Sequence, residues 1–530
     1  MYDLLIKNGL IADGSGAPLF SADVAVRDGR IAKVAPSIKE EALETMDAEG
    51  LTVSPGFIDS HSHDDRTILL GTDSANILLQ GITTEITGNC GGSIVPYLPE
   101  FFGIGGVGGG QQAKAEGLIR RGGDLPALIA ELAEKGMPLN AAFLIGHRNL
   151  RVKAMGWEDR KPTVPEMEKM KALLRHEMES GALGLSSGLI YPPGSYAGPE
   201  ELVELAASIT DYPGAIYCTH MRDEGYYEVD AVREALDLGK EAGIHVHISH
   251  HQITGKGNEG LSKITLGMMD DAIAEGQRVT LDAYPYDACA TALINCIPPK
   301  YRAVGNEAFL EQLNGPDLRA RIRADLEVVP TYFDNILGTT GFDKTMTQNS
   351  DGSLITLEDL AKKRGLDPYD AFFDLLIETK GTARGIYRMI YAEDMHRILK
   401  HPCASLGTDC ASMSPAPFNH PRFSAAFPHF LTEFCRDNPR LPLETGIRKA
   451  TGLAADTFGL TRKGYIKEGL DADLVIFDYA KLEGPASYGH GDLPNEGIKA
   501  VYVNGVCAVR DGAVTGNRAG RCVLRNEVLG

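Results

Sequence analysis

Two distant parts of the chain share one pattern. Near the start, DLLIKNGLI and SADVAVRDGRIAKVA alternate apolar and polar positions, with turn signals at Asp13-Gly14 and Asp28-Gly29. This is the period of short, half-buried strands. Near the other end, ADLVIFD, IKAVYVNGVCAVR and GRCVLRNE read the same way. Both sets are expected to contribute to one small composite β-sandwich, built from residues 1–54 and 463–530.

The middle, residues 55–462, reads differently. TVSPGFIDSHSH, ITTEITG, NAAFLIG, ALGLSSGL, AIYCTH, IHVHISH, RVTLDAYPY and ASLGTD are apolar runs of strand length. Amphipathic segments separate most of them; LPALIAELAEKG, PEMEKMKALLRHEMESG, GPEELVELAASI and EVDAVREALDLGKEAG are the clearest. Repeated strand-then-helix units predict an α/β fold with a parallel sheet, and eight such units favour a closed barrel over an open sheet. The stretch at about 298–397 is too long for an ordinary connection and contains FLEQLNGPDLRARIRADL and LDPYDAFFDLLIETK, so a helical insertion is expected there. FFGIGGVGGGQQAKAEG, from Phe101, is glycine-rich but lacks the ending of a phosphate loop and reads as a mobile surface loop.

Composition narrows the function classes. The 530 residues are 43% hydrophobic, enough for a large core and too many for a disordered chain. Lys+Arg 52 against Asp+Glu 72 leaves a net charge of −20, which disfavours a nucleic-acid surface. No apolar run has the length of a membrane span, and MYDLLIKNGLIADGSG lacks the features of a secretory signal. The expectation is a soluble, cytoplasmic protein with no membrane or nucleic-acid partner and an undetermined oligomeric state. Nine dispersed cysteines without CxxC spacing do not make a disulfide framework, a zinc ribbon or a thioredoxin motif.

Chemistry gathers at the strand ends. His61 and His63 lie two apart at the end of the first barrel strand, which places both on one face. His220 ends the fifth strand, His250 follows the sixth, and Asp409 ends ASLGTD after the eighth. Cys90 follows the second, in TEITGNCGGS, where glycines permit a sharp bend. Imidazole, thiolate and carboxylate at the C-terminal mouths of several barrel strands are metal ligands able to converge despite large sequence gaps. The other cysteines read as packing or, for Cys410, pocket lining. His251 is expected to point away from its neighbour His250, and His245 and His247 have the opposite strand parity to it.

SPGFIDSHSHDD, TGNCGGS, YCTHMR, HISHH, LDAYPYDACATAL and SLGTD resemble the amidohydrolase superfamily, and within it the D-aminoacylase, or N-acyl-D-amino-acid deacylase, family. The resemblance covers nearly the whole chain. It implies a TIM-like metal-dependent hydrolase barrel with zinc at its mouth. His61, His63, Cys90, His220, His250 and Asp409 match the metal residues, Asp409 being also the catalytic aspartate. One tightly held zinc on the cysteine and the later histidines is implied, with a second site on the first pair that is weak or empty. Arg422 in NHPRF matches the carboxylate-recognising arginine, and Tyr284 a substrate contact. Gln252 stands where that pattern commonly has lysine; it can hydrogen-bond but carries no charge.

The expected reaction is hydrolysis of an amide-like C–N bond in a small N-acyl amino acid or related N-substituted carboxylate. Metal-activated water attacks, and Asp409 serves as proton acceptor and then donor. Tyr191 in GLIYPPGSYA is a candidate hydrogen-bond donor to the scissile carbonyl. His147 and Arg151 in GHRNLR are candidates to line the third loop. Ser186-Ser187-Gly188 lacks GxSxG, so a serine nucleophile is set aside. The alternatives are a cyclic amide or imide (hydantoin-like) hydrolase, a dipeptidase, or a non-catalytic metal-binding protein.

Overall fold

The computed structural model describes residues 1–65, 67–99 and 115–525. Most of the glycine-rich loop, residues 101–114, therefore lies outside the described residues.

Eight parallel strands form the barrel: Phe57–Asp59, Ile82–Thr87, Asn140–Gly146, Gly184–Gly188, Ile216–His220, His245–Ile248, Val279–Ala283 and Ala404–Leu406. They are ordered one to eight around the sheet. The ring closes between the eighth and the first, where Ser60 N–H donates to the Leu406 carbonyl at 3.1 Å and the Ser60 hydroxyl to Ser405 at 2.8 Å. Strands so enclosed are buried on both faces, which explains the continuous apolar stretch of Ala141–Ile145; Ile82–Thr87 is buried throughout as well, although four of its six residues are polar. The outer helices bury one stripe each. Glu228–Ala242 turns Ala231, Val232, Ala235, Leu236 and Leu238 inward and stops at Gly243, whose φ of 70° only glycine adopts freely.

The stretch TVSPGFIDSHSH divides in two. Thr52–Pro55 joins the small domain and Phe57–Asp59 begins the barrel. Gly56 sits at the division, where only glycine fits, because a Cβ would lie 2.1 Å from Thr83 Oγ1. The small domain is a nine-stranded sheet from both chain ends. Tyr2–Ile11 pairs along one edge with Phe20–Arg27, and along the other with Ala42–Asp47 and then Thr52–Pro55. The sheet splits at that point and encloses a core that includes Leu4, Ile6, Val24, Val53, Leu474 and Ile476. A buried polar network ties it to the barrel: Lys463 Nζ donates to Asp473 at 2.5 Å, and Asn140 of the third barrel strand donates to the same carboxylate at 3.2 Å.

The insertion differs from the expected helical unit. Asn306–Gln312, Pro316–Leu326 and Pro368–Glu378 are helical, but Thr345–Gln348, Leu354–Thr356 and Arg384–Tyr387 are strands. With Cys289–Ala292 they form a four-stranded antiparallel sheet. Segments of three or four residues are too short for periodicity to reveal. Among the described residues no helix is long and apolar enough to cross a membrane.

His245, at the start of the sixth strand, is buried with Nε2 2.9 Å from Thr280 Oγ1. Burial, with help from Arg278, pushes its pKa down to about 3. The folded protein keeps this ring neutral while the unfolded chain protonates it. Stability should therefore fall as pH drops from about 6.5, by at most about 1.4 kcal/mol per pH unit from this group. Denaturant titrations of wild type and His245→Gln at pH 7 and pH 5 should show a shallower slope in the variant. Equal slopes would remove His245 as the cause.

Candidate metal centre

The candidate ligands all stand at the C-terminal mouth of the barrel. His61 and His63 follow strand one, Cys90 strand two and His250 strand six; His220 ends strand five, and Asp409 follows strand eight. Three of them have left-handed backbone: Cys90 at φ 53°, His250 at 35° and Asp409 at 49°. Non-glycine residues rarely adopt this conformation, and where the surroundings impose it the chain turns sharply. Cys90 turns in a crowded place: a Cβ on Gly91 would lie 2.6 Å from Gly188 N.

The side chains form two groups that share Cys90. One is His61, His63, Cys90 and Asp409; the other is Cys90, His220 and His250. Within each group the ligand atoms lie within 4.8 Å of one another. Cys90 Sγ is 3.3 Å from His61 Nε2, 3.4 Å from His250 Nε2 and 3.8 Å from His220 Nδ1. His220 Nδ1 and His250 Nε2 are 2.8 Å apart, and His63 Nε2 is 3.0 Å from Asp409 Oδ1. Burial alone would raise the Cys90 thiol, but His61 and His250 outweigh it and hold it well below its ordinary value. Burial disfavours charge on His61, yet Asp282 and Cys90 lift it to about 10. Imidazole nitrogens, a thiolate and a carboxylate converging this closely fit a divalent cation, which displaces the ligand protons on binding.

Carboxylates behind the ligands hold them. Asp282, at the end of strand seven, places Oδ2 2.7 Å from His247 Nε2 and 3.4 Å from His61 Nδ1. Its Oδ1 accepts the His250 backbone N–H at 2.9 Å. Glu224 lies 2.9 Å from His250 Nδ1, and Asp59 accepts the backbone N–H of His61 at 3.0 Å. His251 turns away, towards Glu228 at 3.2 Å and Thr265 at 3.0 Å.

A cavity of about 140 Å³ opens beside the ligands, lined by His63, Cys90, Asp409, Tyr191, Arg422 and Arg384, among others. Arg422 is buried with Nη1 2.9 Å from Asp409 Oδ2 and its guanidinium 4.6 Å from the Tyr284 ring centre. Burial raises the Asp409 carboxyl, but Arg422 and His63 outweigh that and keep it well below the usual carboxylate range. Tyr284 and Gln252, expected as substrate contacts, are not among the residues that line the cavity; both are buried, Tyr284 donating to Gln252 Oε1 at 3.0 Å and Gln252 to Glu224. Cys410 lines the cavity, as expected.

His147 and Arg151 do not line the cavity, which corrects the expectation from GHRNLR. Both are buried against Glu201, His147 Nε2 at 2.8 Å and Arg151 through an ion pair. They lie four apart on helix His147–Met155, so they share the face packed against helix Pro199–Ala207. The adjacent residue, Arg148, faces the cavity, its guanidinium 5.4 Å from the Tyr191 ring centre.

A family model described as "Amidohydrolase family" matches residues 44–313 and 356–509. The chain belongs to this family. D-aminoacylase from Alcaligenes xylosoxydans xylosoxydans is 35% identical over 99% of this chain and 98% of its own. A solved D-aminoacylase, described with a binuclear metal center, one-metal activation and second-metal attenuation, superposes with a TM-score of 0.80 at 34% identity, covering 99% of this chain and 100% of that one. N-acyl-D-glutamate deacylase from Bordetella bronchiseptica, solved with zinc and a phosphonate mimic of the tetrahedral intermediate, gives 0.80 at 31% identity, with 99% of each chain covered. The chain is thus a metal-dependent amidohydrolase of the D-aminoacylase branch, acting on amide-like C–N bonds other than those of ordinary peptides.

Two carboxylates of this amidohydrolase site, Asp282 and Glu224, lie outside the motifs that point to the ligands. Asp282 had a signal, since it is a carboxylate at a strand end just as Asp409 is. Glu224, four residues after His220, had a weaker one. Asp282→Asn should lower metal affinity roughly ten- to hundredfold, the cost typical of losing a carboxylate behind a histidine ligand. Equilibrium dialysis with elemental analysis measures this; undiminished affinity in a folded variant would show that Asp282 does not position the ligands.

Proposed function

We propose that this chain is a zinc-dependent N-acyl-D-amino-acid deacylase. The placement of Asp409 carries the reading. Its carboxylate faces His63 and the ligand cluster at 3.0 Å on one side and Arg422 at 2.9 Å on the other. An N-acyl amino acid presents the matching pair of features, a scissile amide one carbon from a carboxylate. Zinc suits a nitrogen, sulfur and oxygen donor set, and the Bordetella relative was solved with zinc. Cys90, His220 and His250 would hold the tighter ion; His61, His63, Cys90 and Asp409 surround the weaker position. The D configuration rests on the names of the relatives.

A divalent ion held there supplies a Lewis acid for the carbonyl and makes water more acidic. Asp409 accepts a proton from the attacking water at a carboxylate oxygen. It then delivers that proton to the departing nitrogen, so that the C–N bond breaks to release an amine rather than an amide anion. The Tyr191 hydroxyl, on a ring 4.9 Å from His220, donates to the scissile carbonyl oxygen. Arg422, stacked on Tyr284, binds the carboxylate with its planar donor fork.

Cyclic amide or imide hydrolysis is the second reading, favoured by the uncharged Gln252. Metal-loaded protein assayed against N-acetyl-D- and L-amino acids, dipeptides and hydantoins separates the two. The proposal expects the fastest turnover on N-acetyl-D-amino acids. Faster ring opening of hydantoins would replace it with the second reading, and no turnover of any of them would favour a non-catalytic metal-binding protein.

A further inference from the structure

The substrate's carboxylate is incompletely gripped if Arg422 acts alone. Arg422 is already engaged by Asp409 at 2.9 Å, so it divides its donor fork between that carboxylate and an arriving one. Gln252 adds no charge, and its side chain is taken up between Tyr284 and Glu224.

Besides Arg148, which lies over Tyr191, the insertion places another guanidinium in the same cavity, on the side of Arg422. Strand Cys289–Ala292 pairs with Arg384–Tyr387 in a register that sets Arg384 opposite Ala292 and Ile386 opposite Ala290. Opposed residues of an antiparallel pair share a sheet face, so Arg384 lies on the face of Ala290 and Ala292. Arg422 donates from Nη2 to the Ala290 carbonyl at 3.2 Å. Arg384 rests 5.5 Å from the ring centre of Phe423, the residue next to Arg422. Arg384, Arg422, Ala290, Thr291, Ala292 and Phe423 all line the cavity beside Asp409. Burial and then the Arg422 charge hold Arg384 below the ordinary arginine value.

We propose that Arg384 is the second cation of the carboxylate subsite, gripping the substrate's carboxylate jointly with Arg422 and supplying the charge that Gln252 lacks. This rests on the deacylase reading and deepens it: Arg384 becomes the specificity determinant for anionic over neutral substrates. Arg422 and Arg384 together present two planar donor forks to one carboxylate.

The test compares N-acetyl-D-leucine with its carboxamide, N-acetyl-D-leucinamide, which differs by one charge. On metal-loaded full-length enzyme, Arg384→Gln should raise KM for N-acetyl-D-leucine roughly ten- to hundredfold, the worth of a charge-assisted hydrogen bond. It should leave kcat for that substrate, and kcat/KM for the carboxamide, within about threefold of wild type. Arg384→Lys should recover part of the loss, and it replaces the glutamine variant if that one unfolds. Equal losses on both compounds, or a fall in kcat with KM unchanged, would overturn the proposal. If wild type turns over neither compound, the deacylase reading fails by itself. Calorimetric titration with the same pair then still decides the role of Arg384: wild type should bind N-acetyl-D-leucine more tightly than the carboxamide, and Arg384→Gln should not. Equal affinities in wild type would end the proposal.

Discussion

Asp409→Asn enzyme, loaded with metal, should remain folded and lose roughly a thousandfold in kcat, within the range expected for removal of a general acid–base. Asparagine matches aspartate in shape and tolerates the left-handed backbone at this position, where φ is 49°. The Asp409 N–H bond to the His61 carbonyl, 2.8 Å long, involves only the backbone and survives the change. The amide, however, cannot take a proton from water and return it to the leaving nitrogen. It also leaves Arg422 without its carboxylate partner, so substrate anions should bind at least as tightly as before. The expected signature is therefore a collapse of kcat with KM unchanged or lowered. Stopped assays at saturating substrate, on protein of measured metal content, give the answer. Turnover within about tenfold of wild type at full metal occupancy would sink the proton-shuttle role of Asp409.

The barrel was legible in the sequence because its strands are buried on both faces and read as apolar runs closed by glycine or a ligand. The six candidate ligands were legible for the same reason, each lying at or just beyond a strand's C-terminal end, where a parallel barrel must bring its loops together. The parts that escaped depend on rotation and on long-range pairing. In GHRNLR the spacing shows that His147 and Arg151 share a helix face, but not that this face meets Glu201 while Arg148 meets the cavity. Arg384 escaped because its strand, RGIY, is four residues long and its partner, CATA, lies almost a hundred positions earlier. No local pattern announces such a pairing. The cavity lining depends on these features more than the cluster of candidate ligands does.

Cys90→Ala should abolish tight metal binding while leaving the apo fold nearly intact. Alanine and cysteine carry the same Cβ, so the backbone cost of the left-handed turn at φ 53° is unchanged. What disappears is the sulfur, which lies 3.3 Å from His61 Nε2, 3.4 Å from His250 Nε2 and 3.8 Å from His220 Nδ1. Because both ligand groups include Cys90, one substitution weakens both positions together. His63→Ala removes a member of one group only and should spare the position formed by Cys90, His220 and His250. Loss of a direct ligand should cost more than the roughly ten- to hundredfold typical of an outer partner such as Asp282. Two measurements follow from this. After dialysis against a weak chelator, wild type and His63→Ala should retain metal and Cys90→Ala should not. Added zinc should raise the melting temperature of wild type, since a ligand bound only by the folded state stabilises it, and should leave Cys90→Ala unmoved. Cys90→Ala protein that kept its metal through dialysis and melted higher with zinc would show that the histidines and Asp409 suffice. The shared thiolate would then have to be given another role.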